Sequence, residues 1–592
     1  MQQSKLASVF PVFQWGKQYS KTTLVDDVIA SLVITMMLIP QSLAYALLAG
    51  LPPQIGLYAS LFPLVAYAIF GSSGALSVGP FAIASLMTAS ALNGMHRFAL
   101  EGSGIESQPD ILLGAIVLAL LVGGFLFLFG AFRLGFLTNF ISAPVVTGFI
   151  SASAIVIASS QLPNLLGLQE TALPWFELVQ EGSFTNYING ATVILAGVMV
   201  LVLLFLPKML HRLILKFTQS DFLADTLSKA TPVLVMLMSI GLVQTLGLEA
   251  LGVAVIGDIP AGLPDLSLPD RQLTAWSTDM WQHLIVSALL ISIISFVSSV
   301  SVAQAFAAKD RQRIDPNQEA IGLGMANVMS GLSGAFPVSA SLSRSSVAMK
   351  AGAKTPATSA FTAIGITVSC LFLTPFLYYL PIATLAAMIL TAVFSLFDWA
   401  AIKRTLQYSR KDFSALALTM ILTLTLGVQW GLIGGVILSI CLHLYRSSHP
   451  HVAILGRVPD TEHFRNIERY TGITHPSIIS FRIDASLYFA NARFLEDQIN
   501  ALVARHESAK HLVLMCSSIN DIDASALESL VDINHYLEEA GVTFHLSEVK
   551  GPVLDRLKRS DFLELMTGKI YLSHFHAWTD LLDQEKASEH ER

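Results

Sequence analysis

The stretch Gly334-Ala-Phe-Pro-Val-Ser-Ala-Ser-Leu-Ser-Arg344 places a cation deep inside a chain of long apolar runs. A charged side chain at membrane depth is costly, so we interpret Arg344 first as a functional group. Pro337 lies about two turns upstream, and four serines surround the arginine, at Ser341, Ser343, Ser345 and Ser346. A proline-started helix that begins inside a bilayer points its free N–H groups and positive dipole end at one place. The stretch therefore predicts an anion-binding site.

A second segment of the same character is Ala75-Leu-Ser-Val-Gly-Pro-Phe-Ala-Ile83. It opens the third of about 14 predicted membrane spans, and the Arg344 segment opens the tenth. Both spans are expected to be abnormally short. Short segments interrupted by Gly and Pro at corresponding places in two halves are typical of a transporter site between inverted repeats. Either interruption alone would be an ordinary kink, but the matching pair favours two half-helices that point at one site.

The composition indicates a polytopic membrane protein. Of the 592 residues, 53% are hydrophobic and only 13% are charged, and the mean hydropathy is +0.62. In soluble proteins about a quarter of all residues are charged. Apolar segments of spanning length recur from about Val28 to about Tyr445.

The charges in the loops predict the orientation. Basic residues cluster after even-numbered spans, for example at Lys208, Arg212 and Lys216, at Lys350 and Lys354, and at Lys403, Arg404, Arg410 and Lys411. Acidic residues cluster after odd-numbered spans, for example at Glu170, Glu177 and Glu181, and at Glu249, Asp258 and Asp265. Because basic loops stay in the cytoplasm, we expect a multi-pass protein of the cell membrane with both termini cytoplasmic. In a Gram-negative cell this would be the inner membrane.

Two further spans carry polar groups. Gln41 and Tyr45 follow Pro40 and lie four residues apart, so they share a helix face. They could line the cavity, or Gln41 could join helices while Tyr45 packs. In the eighth span, Ser292, Ser295 and Ser299 share a face that Ser298 borders. These serines could line the cavity or coordinate a cation, and Ser295 and Ser298 are the coupling candidates, although close helix packing would explain most of them.

No motif indicates an enzyme. The sequence contains no phosphate-binding loop, ATPase motif, metal-ligand spacing or nucleophile–base set. Its three cysteines, Cys370, Cys441 and Cys516, lie far apart, and neither a disulfide framework nor a metal site follows from them. Primary active transport is therefore disfavoured. We expect no cofactor and no nucleic-acid partner, and the coupling ion, H⁺ or Na⁺, stays open.

After Arg446 the pattern changes to strands that alternate with helices, which suggests a small α/β domain. The strand candidates are Ile478–Ile483, Leu512–Cys516 and Val542–Leu546. We divide the chain into a cytoplasmic N-terminal segment (1–26), a transmembrane transport domain (27–446), a linker (447–476), the α/β domain (477–585) and a disordered tail (586–592).

Several motifs together resemble the SulP family of sulfate permease-type anion transporters, over nearly the whole chain. They are Pro40-Gln-Ser-Leu-Ala-Tyr45, Gly56-Leu-Tyr-Ala-Ser60, Gly71-Ser-Ser73, Ser77-Val-Gly-Pro80, Gly257-Asp-Ile-Pro-Ala-Gly-Leu-Pro264, Asp315-Pro-Asn-Gln-Glu319 with Gly324 and Asn327, and Phe336-Pro-Val338 with Ser343-Arg344-Ser345.

The resemblance implies a fold of 14 spans in a seven-plus-seven inverted repeat, shared with uracil-type transporters. A core domain would move as an elevator against a gate domain, and the protein would be a homodimer. The substrate anion would lie between the half-helices of spans three and ten. The implied substrate-binding residues are Gln41, Tyr45, Gly79, Phe81, Ala82, Ser341, Leu342, Ser343 and Arg344.

The C-terminal domain is similar to STAS domains, which are related to anti-sigma-factor antagonists. Asp523 and Ser525 lie on the loop where those antagonists carry a phosphorylation motif. Ala524 and Ala526 replace the usual neighbours, so a regulatory role or a cytosolic protein partner is the expectation, rather than phosphorylation.

Two other residues depart from the family. Gly74 stands where many members have Lys or Arg. Ser298 stands where many proton-coupled members have Glu, so coupling by sodium, by another carboxylate or by exchange stays open.

The leading hypothesis is a secondary active transporter of small inorganic anions, with sulfate as the family's default substrate. Membrane lipid would surround the transport domain. Bicarbonate, C4-dicarboxylates and monovalent anions are alternative substrates, because a shared anion cradle does not rank them. A membrane-anchored STAS regulatory scaffold is the alternative from another class.

Overall fold

A computed structural model describes residues 10–102, 110–136, 142–168, 187–219, 221–260, 262–266, 276–309, 313–394 and 396–590. The acidic loop residues Glu170, Glu177 and Glu181 lie outside this part, as do residues 1–9 of the N-terminal segment, Ala261 of the Gly257–Pro264 motif, and residues 591–592. The chain forms two compact units, a membrane unit (1–439) and a C-terminal unit (440–592). The boundary between the units, after residue 439, lies inside a helix that ends at Ser448. It precedes the boundary expected from composition, which is after residue 446.

The first half of the membrane unit contains the elements of the first seven predicted spans. They are α1 (Val12–Trp15), a 3-10 turn (Gly16–Gln18), α2 (Lys21–Leu48), α3 (Pro53–Tyr58), α4 (Phe62–Phe70), β1 (Val78–Gly79), α5 (Ala82–Gly102), α6 (Ile111–Ala131), α7 (Ala143–Ser160), α8 (Leu162–Leu166), α9 (Gly190–Thr218), α10 (Asp221–Ser228), α11 (Thr231–Leu246) and a 3-10 turn (Leu248–Leu251).

The second half of the membrane unit contains the elements of the last seven predicted spans, and its third span again begins with a short strand. They are α12 (Thr278–Lys309), α13 (Pro316–Leu332), β2 (Ser339–Ala340), α14 (Leu342–Lys350), α15 (Ala357–Val368), a π-helical segment (Ser369–Leu373), a 3-10 turn (Thr374–Leu377), α16 (Ile382–Phe394), α17 (Trp399–Tyr408), α18 (Arg410–Thr425) and α19 (Val428–Ser448).

Within the described residues, nine helical segments are long and apolar enough to cross a membrane. Two shorter apolar helices, Ala82–Met95 and Thr231–Leu246, account for the third and seventh predicted spans. The helices α13, α14 and α18 occupy the places of the ninth, tenth and thirteenth. Each predicted span therefore corresponds to a helical segment.

The third and tenth spans begin with the same construction. In each, an extended two-residue strand leads directly into a helix, β1 into α5 and β2 into α14. Pro80 favours the extended backbone of Gly79, because proline disfavours a helical conformation in the residue before it. Pro337, two residues before Ser339, where β2 begins, has the same effect on Phe336. The lengths differ, because α14 has nine residues, as expected for a short span, whereas α5 has 21. The third span is therefore not abnormally short, although it begins in the expected way.

Glycines allow α6 and α13 to pack backbone to backbone. A Cβ atom at Gly324 would lie 2.7 Å from the Phe127 amide nitrogen and 3.0 Å from the Gly123 carbonyl oxygen. Neither backbone atom can move aside, so side chains are excluded at this crossing, as at other close helix contacts in membranes. The crossing fixes α13, which in turn holds the segment before α14.

The C-terminal unit is a six-stranded sheet with the strand order β4-β3-β5-β6-β7-β8. The strands are β3 (Val452–Arg457), β4 (Phe464–Asn466), β5 (Ile478–Ile483), β6 (His511–Met515), β7 (Thr543–Ser547) and β8 (Ile570–Tyr571), and the helices are α20 (Ala492–Arg505), α21 (Ala524–Glu539), α22 (Gly551–Leu557), α23 (Phe562–Leu565) and α24 (His574–His590). The strands β5 to β8 pair in parallel, and β3 pairs antiparallel with β4 and β5.

Two boundaries differ from the expectation. Residues 447–476 were expected to be a linker, but they contain β3 and β4, which extend the sheet. Residues 586–590 were expected to be disordered, but they continue α24 to His590. The helix α24 packs against the sheet through an apolar stripe that includes Ala577, Trp578 and Leu581. The polar residues that follow this stripe continue the same helix.

Candidate functional site

The two half-helices meet through a short antiparallel pairing of their leading strands. Val78 pairs with Ala340 and Gly79 pairs with Ser339. The pairing extends by one more bond, in which the Ser341 N–H donates to the Ser77 carbonyl oxygen at 3.1 Å. Because parts of both predicted repeats share this ladder, the N-termini of α5 and α14 are held at one place.

The half-helix α14 begins at a serine cap, since Ser341 Oγ accepts from the Arg344 backbone N–H at 3.5 Å. On the opposite segment, the Ser77 N–H donates to Ser345 Oγ at 2.9 Å. The serines around Arg344 therefore satisfy backbone groups that the broken helices leave open. The N–H groups of the first turns of α5 and α14 keep no acceptor within their own helices.

The side chain of Arg344 is completely buried, with 0% exposure. Its Nη1 donates to the Pro80 carbonyl oxygen at 2.9 Å and to Gln41 Oε1 at 3.1 Å, and its Nε lies 3.4 Å from Ser77 Oγ. Its Nη2 is buried without a hydrogen-bond partner. Every acceptor is neutral, so within the described residues no carboxylate compensates this buried cation.

A glycine makes room for the guanidinium. Gly79 has a φ of +149°, and a Cβ atom at this position would lie 3.4 Å from Arg344 Nη2. A side chain at this backbone conformation would be strained and would close the space beside the unpaired nitrogen. Gly79 is therefore part of the arginine pocket rather than a separate ligand.

A cavity of about 420 Å³ lies in front of the two N-termini, and we call it the central cavity. Seven predicted substrate-binding residues line it: Gln41, Tyr45, Phe81, Ala82, Ser341, Leu342 and Ser343. Leu342 and Ser343 expose their side chains, whereas the next residue, Arg344, lies behind the wall. The structure thus brings seven of the nine predicted residues to the cavity and places Arg344 and Gly79 in the layer behind it.

The remaining walls of the cavity come from other helices. α12 contributes Val297, Ser298, Ser301 and Val302, while α7 and α16 contribute apolar residues and Thr147. Of the two coupling candidates, Ser298 lines the cavity, and Ser295 is buried beside it and accepts from Ser298 Oγ at 3.3 Å. None of the described residues in this lining carries a carboxylate.

Two residues outside the predicted site hold the segment that leads into α14. Asn327 of α13 accepts from the Val338 N–H at 2.9 Å and donates to the Val338 carbonyl oxygen at 3.0 Å. Ser299 Oγ accepts from the Ala340 N–H at 3.2 Å. Asn327 belongs to the quoted motifs and Ser299 to the serine face, but neither signal distinguished them from packing residues.

Asp27 is a functional candidate that the sequence did not reveal. It is fully buried near the start of α2 and accepts from the loop after α14, at the Lys354 N–H (2.8 Å), the Thr355 N–H (3.2 Å) and the Thr355 and Thr358 hydroxyls (2.6 and 2.9 Å). Tyr19 donates to the same carboxylate at 3.2 Å. Asp27 therefore fixes the far end of the α14 segment to the first span.

Glu319 performs the equivalent role for the loop before β1. Its carboxylate accepts from Tyr67 Oη at 2.8 Å and from the Ser72 N–H at 3.0 Å, and it contacts the Ser72 hydroxyl. The same loop contacts the loop that Asp27 binds. A Cβ atom at Gly74 would overlap the carbonyl oxygen of Lys354, whose N–H donates to Asp27. A side chain at position 74 would therefore not fit against this loop.

In the C-terminal unit, Asp523 is the N-cap of α21 and accepts from the Ala526 N–H at 2.8 Å and the Phe489 N–H at 2.9 Å. Ser525 is exposed in the first turn of that helix. The regulatory role expected for Asp523 and Ser525 stays a prediction.

Two buried histidines, His545 of β7 and His574 at the start of α24, lie near the β8 edge of the same sheet. His545 Nδ1 accepts from the Lys569 N–H at 3.0 Å, and its Nε2 lies 3.3 Å from His511 Nδ1. His574 Nδ1 bonds Ser547 Oγ at 2.7 Å. Burial lowers the pKa of His574 to about 4, and burial together with the nearby charges of His511 and Lys569 lowers the pKa of His545 to about 4.

Within the described residues, no group of three His, Cys, Asp or Glu side chains could hold a metal ion. The chemistry of the central cavity is instead that of helix N-termini, hydroxyls and a buried guanidinium, which together favour an anion.

Comparisons with known proteins show the family of the chain. The sulfate permease family matches residues 24–419 and the STAS domain matches residues 471–577. The chain is 33% identical to the probable sulfate transporter 4.2 of Arabidopsis thaliana, over 96% of this chain and 83% of that protein. It is 32% identical to the probable sulfate transporter Rv1739c of Mycobacterium tuberculosis, over 93% of each.

Solved structures share the fold. The structure of SLC26A9 has a TM-score of 0.84 and 20% identity, and it covers 99% of this chain and 94% of that one. The transmembrane domain of a cyanobacterium bicarbonate transporter, BicA, has a TM-score of 0.58 and 20% identity, and it covers 70% of this chain and 98% of that one. The chain is therefore a member of the sulfate permease family, a membrane anion transporter rather than an enzyme, with a C-terminal STAS domain.

Proposed function

We propose that this protein is a secondary active transporter of sulfate. The sulfate ion binds in the central cavity, against the N-termini of α5 and α14. The observation that carries the proposal is the fully buried guanidinium of Arg344 directly behind those N-termini, which no carboxylate among the described residues compensates. A buried cation without a counter-ion is costly, and an anion in the cavity would supply the missing charge.

Arg344 does not need to touch the anion for this role. An anion beside Gln41 would lie roughly 6 Å from the guanidinium, and two unit charges at that distance attract by about 3 kcal/mol at an effective dielectric constant of about 20. The N–H groups of the first turns and the Ser343 hydroxyl would make the direct contacts. Gln41, which accepts from Arg344 and lines the cavity, links the two layers.

An elevator movement suits this arrangement. The anion-facing elements α2, α5, α12 and α14 are joined to one another by the β1–β2 ladder, by Ser299 and by Asp27. The opposite wall, from α7 and α16, contributes chiefly apolar side chains. We infer that the first group moves as one core against the second, and carries the anion with it.

Three finer assignments follow from the family. We infer that the protein forms a homodimer, that both termini are cytoplasmic, and that the STAS domain regulates transport through a cytosolic protein partner. A truncation at Ser448 tests the last, because it should change abundance or regulation while substrate selectivity stays the same. A change in selectivity would contradict the separation of roles.

The test of the proposed function is uptake of radiolabelled sulfate, bicarbonate and succinate into proteoliposomes, with and without proton or sodium gradients. We expect saturable sulfate uptake that Arg344→Ala abolishes and Ser346→Ala, on the same half-helix, retains. Preference for bicarbonate or succinate would reassign the substrate. Equal uptake by the Arg344→Ala variant and the wild type would refute the site.

A further inference from the structure

The helix α17 (Trp399–Tyr408) lies between two membrane spans and is itself too short to cross a membrane. Residues outside the helical conformation separate it from both neighbours. Asp398, before it, is the N-cap and accepts from the Ala401 N–H at 2.8 Å, and Ser409, after it, has an extended backbone and caps α18. The helix α17 is therefore a separate element between the spans rather than the end of either one.

One side of α17 is apolar and only partly covered by protein. Trp399, Ile402 and Leu406 share a helix face by their spacing. Ile402 is buried, whereas Trp399 is 67% and Leu406 46% exposed. The Trp399 ring stacks on Phe397, with the ring centroids 6.2 Å apart. The helix thus exposes an aromatic and an aliphatic side chain, as expected at the boundary between lipid headgroups and acyl chains.

The neighbouring side of α17 is positively charged. Lys403 and Arg404 are both exposed, and among the described residues neither makes an ion pair or a side-chain hydrogen bond. Asp398, an acid close to them in sequence, lies at the N-terminus of the helix and accepts from the backbone there. The orientation of the spans alone would explain basic residues in a loop, but not their place on a helix beside an exposed tryptophan. Cations next to exposed apolar side chains are complementary to an anionic phospholipid.

The place of α17 in the fold relates it to the central cavity. It packs against α7 and α18, and it follows α16 after a short connection. The helices α7 and α16 form the chiefly apolar wall of the cavity, through residues such as Val146 and Val393. A lipid bound at α17 would therefore contact an element that is joined to this wall, and not the elements that carry Arg344.

We propose that α17 binds anionic phospholipids of the surrounding bilayer, with Lys403 and Arg404 at the phosphate groups and with Trp399 and Leu406 among the first methylene groups of the acyl chains. The ligand class is a phosphate diester with a net negative charge and two acyl chains, and phosphatidylglycerol is the probe. The inference goes beyond the proposed function, because it requires neither a particular transported anion nor transport itself.

The test measures quenching of tryptophan fluorescence by phospholipids that are brominated in the acyl chains. The full-length protein is reconstituted in phosphatidylcholine vesicles without a transport substrate, and the signal of Trp399 is the difference between the wild type and Trp399→Phe. We expect brominated phosphatidylglycerol to halve this signal at a mole fraction on the order of tenfold lower than brominated phosphatidylcholine requires, since each cation near a membrane surface favours an anionic lipid by about fivefold.

Two double variants test the role of the charges. In Lys403→Gln/Arg404→Gln, the two brominated lipids should halve the Trp399 signal at mole fractions within about twofold of each other. Lys403→Arg/Arg404→Lys should keep the preference, because it keeps both charges. The internal control is Trp430, which is also exposed and lies near the start of α19, one span beyond α17. Its signal, obtained in the same way with Trp430→Phe, should not respond to the glutamine substitutions.

Equal quenching of Trp399 by the two lipids in the wild type would overturn the proposal, and so would a preference that survives the glutamine substitutions. If neither lipid quenched Trp399, protein such as a second copy of the chain would cover the helix, and the lipid site would be wrong. Inorganic phosphate should weaken the preference no more than potassium chloride of the same ionic strength does. A larger effect of phosphate would assign the two cations to a free anion instead of a lipid.

Discussion

Nη1 of Arg344 lies 2.9 Å from the carbonyl oxygen of Pro80, so the cation of one half-helix binds the residue that precedes the other. The same nitrogen binds Gln41, which faces the central cavity. One guanidinium thus joins the first, third and tenth spans, and its charge reaches the cavity through neutral groups only.

The Arg344–Gln41 contact leads to the first prediction. In Gln41→Glu, a carboxylate would stand where the amide oxygen lies now, 3.1 Å from Nη1. At an effective dielectric constant of about 20 this pair is attractive by about 5 kcal/mol, and it would neutralise the charge that the substrate needs. We expect loss of sulfate uptake, measured in proteoliposomes.

The control is Gln41→Met, which has a similar volume and no charge and should keep measurable uptake. If both variants were equally inactive, the amide itself would be required and the electrostatic explanation would be wrong.

The lining of the central cavity leads to the second prediction. Ser298 faces the cavity, and no described lining residue can carry a proton as a carboxylic acid. Ser298→Glu would add such a group near the anion. We expect uptake that rises as the external pH falls and that an inward proton gradient stimulates more than in the wild type, because protonation removes the repulsion between glutamate and the anion.

Ser298→Gln is the matched control, since it has nearly the same size without a titratable proton. Identical pH profiles of the Glu and Gln variants would show that position 298 does not couple transport to protons.

The buried carboxylate of Asp27 leads to the third prediction. An amide at this place offers one acceptor oxygen and turns an NH₂ group toward donors such as the Lys354 N–H. A hydrogen bond to a charged group contributes about 1.5–3 kcal/mol, so Asp27→Asn should lower the free energy of unfolding by at least that amount. Denaturant unfolding in detergent measures the loss, with Asp26→Asn as the control. Equal stability of the two variants would contradict the role assigned to Asp27.

The buried histidines of the STAS domain lead to the fourth prediction. Both His545 and His574 have a folded-state pKa of about 4, below the usual value of about 6.5. The unfolded state therefore binds protons first as the pH falls, and stability that is complete above about pH 6.5 is lost toward pH 4. We expect faster backbone hydrogen exchange in β7, β8 and α24 over this range, after correction for the intrinsic pH dependence.

In the full-length protein, His574→Gln should make that exchange less dependent on pH, whereas His576→Gln, exposed on the same helix, should not. A pH response that is the same in wild type and His574→Gln would remove His574 from the explanation.

The sequence contained strong signals for the half-helices and weak ones for the groups that hold them. Pro80, Pro337 and Arg344 stand out because each is costly or disruptive in an apolar helix, and the structure pairs the strands beside them. Asp27 did not stand out, because a lone acid at the start of a span looks like a loop residue until its donors, more than 300 positions later, are known.

Spacing also left the depth of the side chains undetermined. Ser343 and Arg344 are neighbours on one turn, yet the serine faces the cavity and the arginine lies behind it. Ser298 and Ser299 divide in the same way, one lining the cavity and the other binding Ala340. A helical period places residues on faces, but the tertiary packing decides which face meets the cavity. Strand β4 has only three residues, which explains why it was missed. Strand β3 was missed although its six residues make it as long as β5.

The bond between the Ser77 N–H and Ser345 Oγ joins residues that are 268 positions apart, and the β1–β2 ladder lies beside it. During synthesis the first of these segments enters the membrane long before its partner exists. Its backbone groups then have no strand to pair with, and unpaired backbone groups are not tolerated in lipid. The third span must therefore wait in an unfinished state, sheltered by neighbouring helices or water, until the tenth arrives. The proposed anion site is thus completed only after the tenth span has been made, late in the synthesis of the membrane unit.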